Sequence, residues 1–129
     1  MADVIYIDVE EGLKRVMNNS ALFAKLLVKF KDYTHLSEIE AAMAEGDMEK
    51  ALNSAHTVKG LAANLSMIEL YKHVQELETQ IKTELEAQMK AETVNKDTFK
   101  DLLDDLLKVI KDIYNKTMQE ADKVIKQYA

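Results

Sequence analysis

The chain has no cysteine, no proline and no tryptophan, and only three glycines in 129 residues. Without cysteine there is neither a disulfide framework nor thiol chemistry. Without proline, nothing in the chain breaks a helix by ring geometry. Aromatic residues make up only 6%, and β-branched residues do not cluster, which speaks against strands and for an all-α fold. No apolar run approaches the roughly 20 residues of a membrane span. No apolar stretch follows Met1 in the manner of a secretory signal, so the expected location is the cytoplasm, with no membrane partner. The net charge of −6 has the wrong sign for a broad nucleic-acid footprint. No ATP-binding motif is present, so no kinase or ATPase activity is expected.

What is there is a globular composition, 47% hydrophobic and 31% charged, long enough for one domain over residues 1–129 with a sizeable core. Five helices are predicted. After a short, partly apolar lead, Asp8 reads as an N-cap, with Glu11 completing a capping box; this first helix ends near Met17. Asn18-Asn19-Ser20 is a break and a new cap. A second helix runs from Ala21 to about Ala44, with a point of interruption near Thr34-His35. Glu45-Gly46-Asp47 ends it and caps the third, which ends near Asn64. Ser66 with Glu69 reads as a capping box opening the fourth. The polar segment around Lys90 to Lys96 is the turn, and the fifth helix runs from about Asp97 to Gln127. Its expected core face includes Phe99, Leu102, Leu103, Leu106, Val109, Ile110, Ile113 and Thr117. Four long amphipathic segments with short connections predict an antiparallel up-and-down four-helix bundle with a short additional N-terminal helix.

The third helix carries the chemistry. Its apolar stripe is Met48, Ala51, Leu52, Ala55, Val58, Ala62 and Leu65. At about 100° per residue, His56 falls about 120° from the centre of that stripe, on the solvent side. Lys59, three residues on, is a neighbour on the helix surface. Gly60 stands in the helix interior, where it costs about 1 kcal/mol relative to alanine, and with Ala63 it leaves a bare patch beside the imidazole. A nucleophilic nitrogen, an adjacent cation and a cleared approach are what a transferring phosphoryl group needs.

His56-Thr57-Val58-Lys59-Gly60, followed by small residues and Asn64-Leu65, resembles the signature of the histidine-containing phosphotransfer (HPt) domains of bacterial multistep phosphorelays. The resemblance runs from Asp8-Val9-Glu10-Glu11-Gly12-Leu13 to the last helix and includes Gln75-Glu76-Leu77-Glu78 downstream. Members of that family commonly carry glycine where this chain has Ser66. The resemblance implies a phosphocarrier that takes a phosphoryl group onto His56 from a receiver-domain phosphoaspartate and passes it to another receiver aspartate. Lys59 would offset phosphoryl charge, Gly60 would give the receiver loop access, and Asn64 would border the site. Glu78 or, one turn earlier, Gln75 would accept from the inner imidazole nitrogen and fix the tautomer. The partners implied are response-regulator receiver domains or a hybrid histidine kinase. Mg²⁺ is expected on the receiver, and this chain is expected to need no cofactor and to be a monomer. Docking is expected near His56 against the first two helices, with Leu13, Val16 and Leu22 exposed rather than buried.

Other readings compete. A di-iron carboxylate bundle needs Glu-x-x-His on inward faces, and no glutamate here has a histidine three residues later. A structural or adaptor bundle would have no use for His56, Lys59 and Gly60 together. The phosphoacceptor domain excised from a hybrid or chemotaxis-type kinase would look the same in sequence. His35 and His73 read as surface residues.

Overall fold

The computed structural model describes residues 4–32, 35–90 and 96–128. They form six α-helices: α1 (Val9–Arg15), α2 (Ser20–Asp32), α3 (His35–Glu45), α4 (Met48–Asn64), α5 (Ile68–Met89) and α6 (Lys96–Tyr128). The described residues contain no strand, as the composition predicts. α4 packs between α3 and α5, α5 packs on α6, α6 on α2, and α1 on α2. Phe23, Leu27, Ile39, Met67, Leu70, Leu77, Ile81, Leu103 and Ile110 are buried in one continuous core. Val9, Leu13 and Val16 pack against its edge. Two ion pairs tie α6 across the bundle: Lys31 of α2 to Asp122, and Lys111 to Glu40 of α3 at 2.6 Å.

The single helix expected over residues 21–44 is two. Apolar spacing continues from Leu22 to Met43 without a glycine or proline, so periodicity alone does not reveal the break. The interruption expected near Thr34-His35 falls at this break: α3 opens at His35, while residues 33 and 34 lie outside the described residues, as does most of the Lys90–Lys96 turn. On α6, Leu102 and Val109 are 42% and 45% exposed. They were expected to face the core, but they sit on the flank of the stripe formed by Leu103, Leu107 and Ile110.

The helix ends follow local chemistry. Asp8 Oδ1 accepts from Glu11 N at 3.1 Å, and Asp47 Oδ1 from Lys50 N at 3.1 Å. Asn19 Oδ1 accepts from Leu22 N at 3.0 Å, so Asn19, not Ser20, caps α2. The box expected at Asp8 is only half made, because the Glu11 carboxylate is taken by Arg15 Nε at 3.2 Å and Ser66 Oγ at 3.3 Å. α1 lays bare backbone on an aromatic ring: a β-carbon at Gly12 would stand 2.6 Å from Phe23 Cζ.

Ser66 overturns a second expected box. It does not open α5 but closes α4. Its φ is +54°, its N–H reaches Ala63 O at 3.2 Å, and Met67 N reaches Ala62 O at 2.8 Å. These are the paired bonds of a Schellman turn, with Ser66 where glycine is usual. Ser66 O also accepts from Asp8 N at 2.9 Å, which fastens α1 to this turn. The left-handed conformation costs a side-chain-bearing residue about 1 kcal/mol. Ser66→Gly relieves that and Ser66→Ala does not, so urea unfolding should find the glycine variant more stable than the alanine variant by about 1 kcal/mol.

Candidate functional site

α4 starts at the Asp47 cap and buries Ala51, Ala55, Val58 and Ala62. This narrow face of small residues seats α4 closely between α3 and α5. His56 follows Ala55 and so leaves the buried face. Its side chain is 70% exposed, on the solvent side as the helix wheel predicts. α5 buries Leu70, Val74, Leu77 and Ile81. Glu78, one turn after Val74, rides the edge of that stripe with its side chain only 4% exposed.

A buried carboxylate is unfavourable unless cations or donors surround it. Three groups do so here. His56 Nδ1 lies 3.3 Å from Glu78 Oε1, Lys82 Nζ lies 3.1 Å from the same oxygen, and Lys59 Nζ lies 2.8 Å from Oε2. The Lys59 contact is an ion pair outside hydrogen-bond geometry, so Oε2 has no directed donor among the described residues. Burial pushes the Glu78 carboxyl up, but the contacts with Lys59, Lys82 and His56 and the Lys59 charge outweigh it, and the pKa falls from 4.5 to about 2. Glu78 is therefore ionised at neutral pH and can only accept. Nδ1 of His56 must then carry the hydrogen and donate it, which leaves the lone pair of a neutral ring on Nε2, the outward nitrogen.

The remaining residues singled out from sequence are placed as follows. Gln75 is exposed and Glu78 makes the contact to His56. Lys59 does not point freely outward; its ammonium is engaged by Glu78 and its side chain is 21% exposed. Gly60 faces open space, with nothing within 4 Å of where a β-carbon would stand. Asn64 is two turns from His56, about 12 Å along the axis. It is exposed, and it lines a shallow depression with Arg15, Val16, Leu26, Lys29, Leu61 and Leu65. Leu13 and Val16 are half-buried and Leu22 is 39% exposed, so none of the three is fully buried in the core. Lys82, an i,i+4 neighbour of Glu78, shares the oxygen used by His56, an arrangement that depends on the packing of α5 against α4. His35 Nδ1 meets Glu38 Oε2 at 3.2 Å, and His73 Nδ1 meets Glu69 O at 2.8 Å.

Among the described residues no helix is long and apolar enough to cross a membrane. A family model described as Hpt domain matches residues 33–111 of the chain. No curated protein and no solved structure matches it.

Proposed function

Because this chain belongs to the Hpt domain family, we propose that it is a phosphorelay intermediate in bacterial two-component signalling, with His56 as the phosphoryl carrier. Nε2 attacks the phosphorus of a phosphoaspartate on a response-regulator receiver domain. The N–P bond forms as the acyl phosphate P–O bond breaks, and the aspartate leaves as a carboxylate. The ring acquires positive charge in this step, and the ionised Glu78 beside Nδ1–H offsets it. Reversal onto a second receiver aspartate completes the relay. Mg²⁺ and the acidic pocket belong to the receiver, and this chain contributes a positioned nucleophile in a cytoplasmic, monomeric protein. The observation that carries this reading is an exposed imidazole whose inner nitrogen faces a buried, ionised carboxylate.

Lys59 has a second role in this scheme. Its ammonium, already beside Glu78, offsets part of the charge of a phosphoryl group on Nε2. Gly60 leaves room for the receiver loop. Nothing within the protein requires glycine there, so Gly60→Leu should be at least as stable as the parent, gaining up to about 1 kcal/mol in helix propensity. It should accept phosphoryl groups about tenfold to a hundredfold more slowly, because the reacting atoms are held apart. Unfolding curves and stopped-flow transfer measured together separate the two effects.

The test of the reading is transfer from a phosphorylated receiver domain of the same organism. Intact mass should show a gain of one phosphoryl group that is acid-labile and alkali-stable, and NMR of the nitrogen-labelled ring should show phosphorus coupling at Nε2. If no cognate receiver transfers to the folded protein, the bundle is an adaptor and the relay reading is wrong.

A further inference from the structure

Glu78 does two things that ordinarily come together: it orients the imidazole and it attracts a proton to it. An ionised carboxylate beside a histidine favours the imidazolium, and it does so more strongly when buried, where the dielectric response is weak. An imidazolium has no lone pair and cannot attack phosphorus. A relay histidine fixed only by a buried glutamate would therefore gain position at the expense of nucleophilicity.

The arrangement around Glu78 separates the two effects. Lys82 lies one turn beyond Glu78 on α5, its side chain 56% exposed, with Nζ 3.1 Å from Oε1. That is the oxygen on which His56 Nδ1 rests at 3.3 Å. Lys59, from α4, occupies Oε2 at 2.8 Å. Two ammonium groups thus face one carboxylate. Its lone pairs still accept from Nδ1, but part of its charge at the ring is offset, and the remainder is what meets the positive charge of the phosphorylated ring. The groups bearing on Glu78 are His56 and Lys59 from α4 and Lys82 from its own helix.

We propose that Lys82 is a positioning residue for the relay histidine: by sharing Glu78 Oε1 it lets the carboxylate orient His56 without charging it, and so keeps the ring nucleophilic toward lower pH. This rests on the relay reading of His56. An ordinary solvated i,i+4 pair would stabilise the helix a little and leave the imidazole untouched. Lys82 differs because its partner oxygen is buried and already in use by the nucleophile.

The experiment compares the parent with Lys82→Met and Lys82→Arg. The ring protons of His56 are titrated by NMR, and phosphoryl transfer from a phosphorylated receiver is timed at pH 6 and pH 8. In Lys82→Met the His56 titration should move up by about half a unit, the size expected for loss of one partly solvated charge nearby. Transfer at pH 6 should then fall about threefold, the loss of neutral ring for such a shift, and at pH 8 stay within about a factor of two of the parent. Lys82→Arg should restore both. An unmoved titration in Lys82→Met overturns the proposal, whatever its transfer rate. A parent that accepts no phosphoryl group refutes the relay reading instead, while the titration still decides whether Lys82 governs the charge on His56.

Discussion

His56→Ala is expected to fold as the parent does and to accept no phosphoryl group. The ring is 70% exposed, and its Nδ1 lies 3.3 Å from Glu78 Oε1. Removing it leaves no cavity, because the side chain fills none. Glu78 keeps both ammonium partners, Lys59 and Lys82, so its charge is not orphaned. Alanine is the best helix former, and the position is in the body of α4, so unfolding stability should stay within about 0.5 kcal/mol of the parent. Chemistry should be lost completely. The other two histidines have Nδ1 engaged by Glu38 and by the Glu69 carbonyl, and neither has a buried carboxylate behind it. Acid-labile phosphate on the folded variant, seen by intact mass after incubation with a phosphorylated receiver, would place the acceptor elsewhere and sink the assignment.

Glu78→Ala should damage both function and stability, with different pH signatures. For transfer, the ring loses the acceptor that holds Nδ1–H and the negative charge that offsets the forming phosphoimidazolium. Losing such an outer partner of a reactive histidine costs about tenfold to a hundredfold. For stability, the sign follows from the depressed pKa, which is 4.5 for the free group and about 2 in the fold. A carboxyl with a lowered folded pKa contributes stability that is fully present above 4.5 and is lost as the pH falls through about 2. The full shift, discounted for solvent at the half-exposed Lys82, corresponds to about 2 kcal/mol. Urea unfolding should therefore show the variant about 2 kcal/mol weaker than the parent at pH 7, with the gap closing toward pH 2. A gap that stays constant with pH would mean that packing of the Glu78 stem, not its charge, holds α5 to α4.

The helical class, the solvent-facing histidine and the caps at Asp8 and Asp47 were all readable from residue order. Each depends on neighbours one helical turn apart, and helical periodicity encodes such neighbours directly. What depends on contacts between helices was not. Gln75 and Glu78 are one turn apart on α5, and spacing could not choose between them; the rotation of α5 against α4 does. The same rotation brings Lys82 onto the oxygen that His56 uses. Ser66 misled for another reason. Ser-x-x-Glu matches a helix start, but a chain leaving one helix and entering another within a few residues offers the serine either role. The Schellman bonds to Ala62 and Ala63 decide for the helix end, and Glu11 rather than Glu69 takes its hydroxyl. The interruption near Thr34-His35 was readable as a weak point, and α3 does start at His35, but both halves continue one apolar face, so periodicity did not make it a full break.

That split has a consequence for how such a protein can diverge. α3 packs on α4, whereas α2 packs on α6 and carries α1. The helices that build the proposed phosphoryl site, α4 and α5, and those that carry Leu13 and Leu22, α1 and α2, thus belong to largely different packing pairs, joined through α6, the turn at Ser66 and the depression that Leu26 and Leu61 line together. Substitutions at solvent-facing positions far from Glu78, with no partner in common with it, act independently of it. On the relay reading, mutation can therefore rewrite the outward faces of α1 and α2, and with them the choice of partner, while selection holds the imidazole, the carboxylate and its two ammonium neighbours fixed. Duplicated copies of this gene would be free to acquire new allegiances without having to reinvent the chemistry.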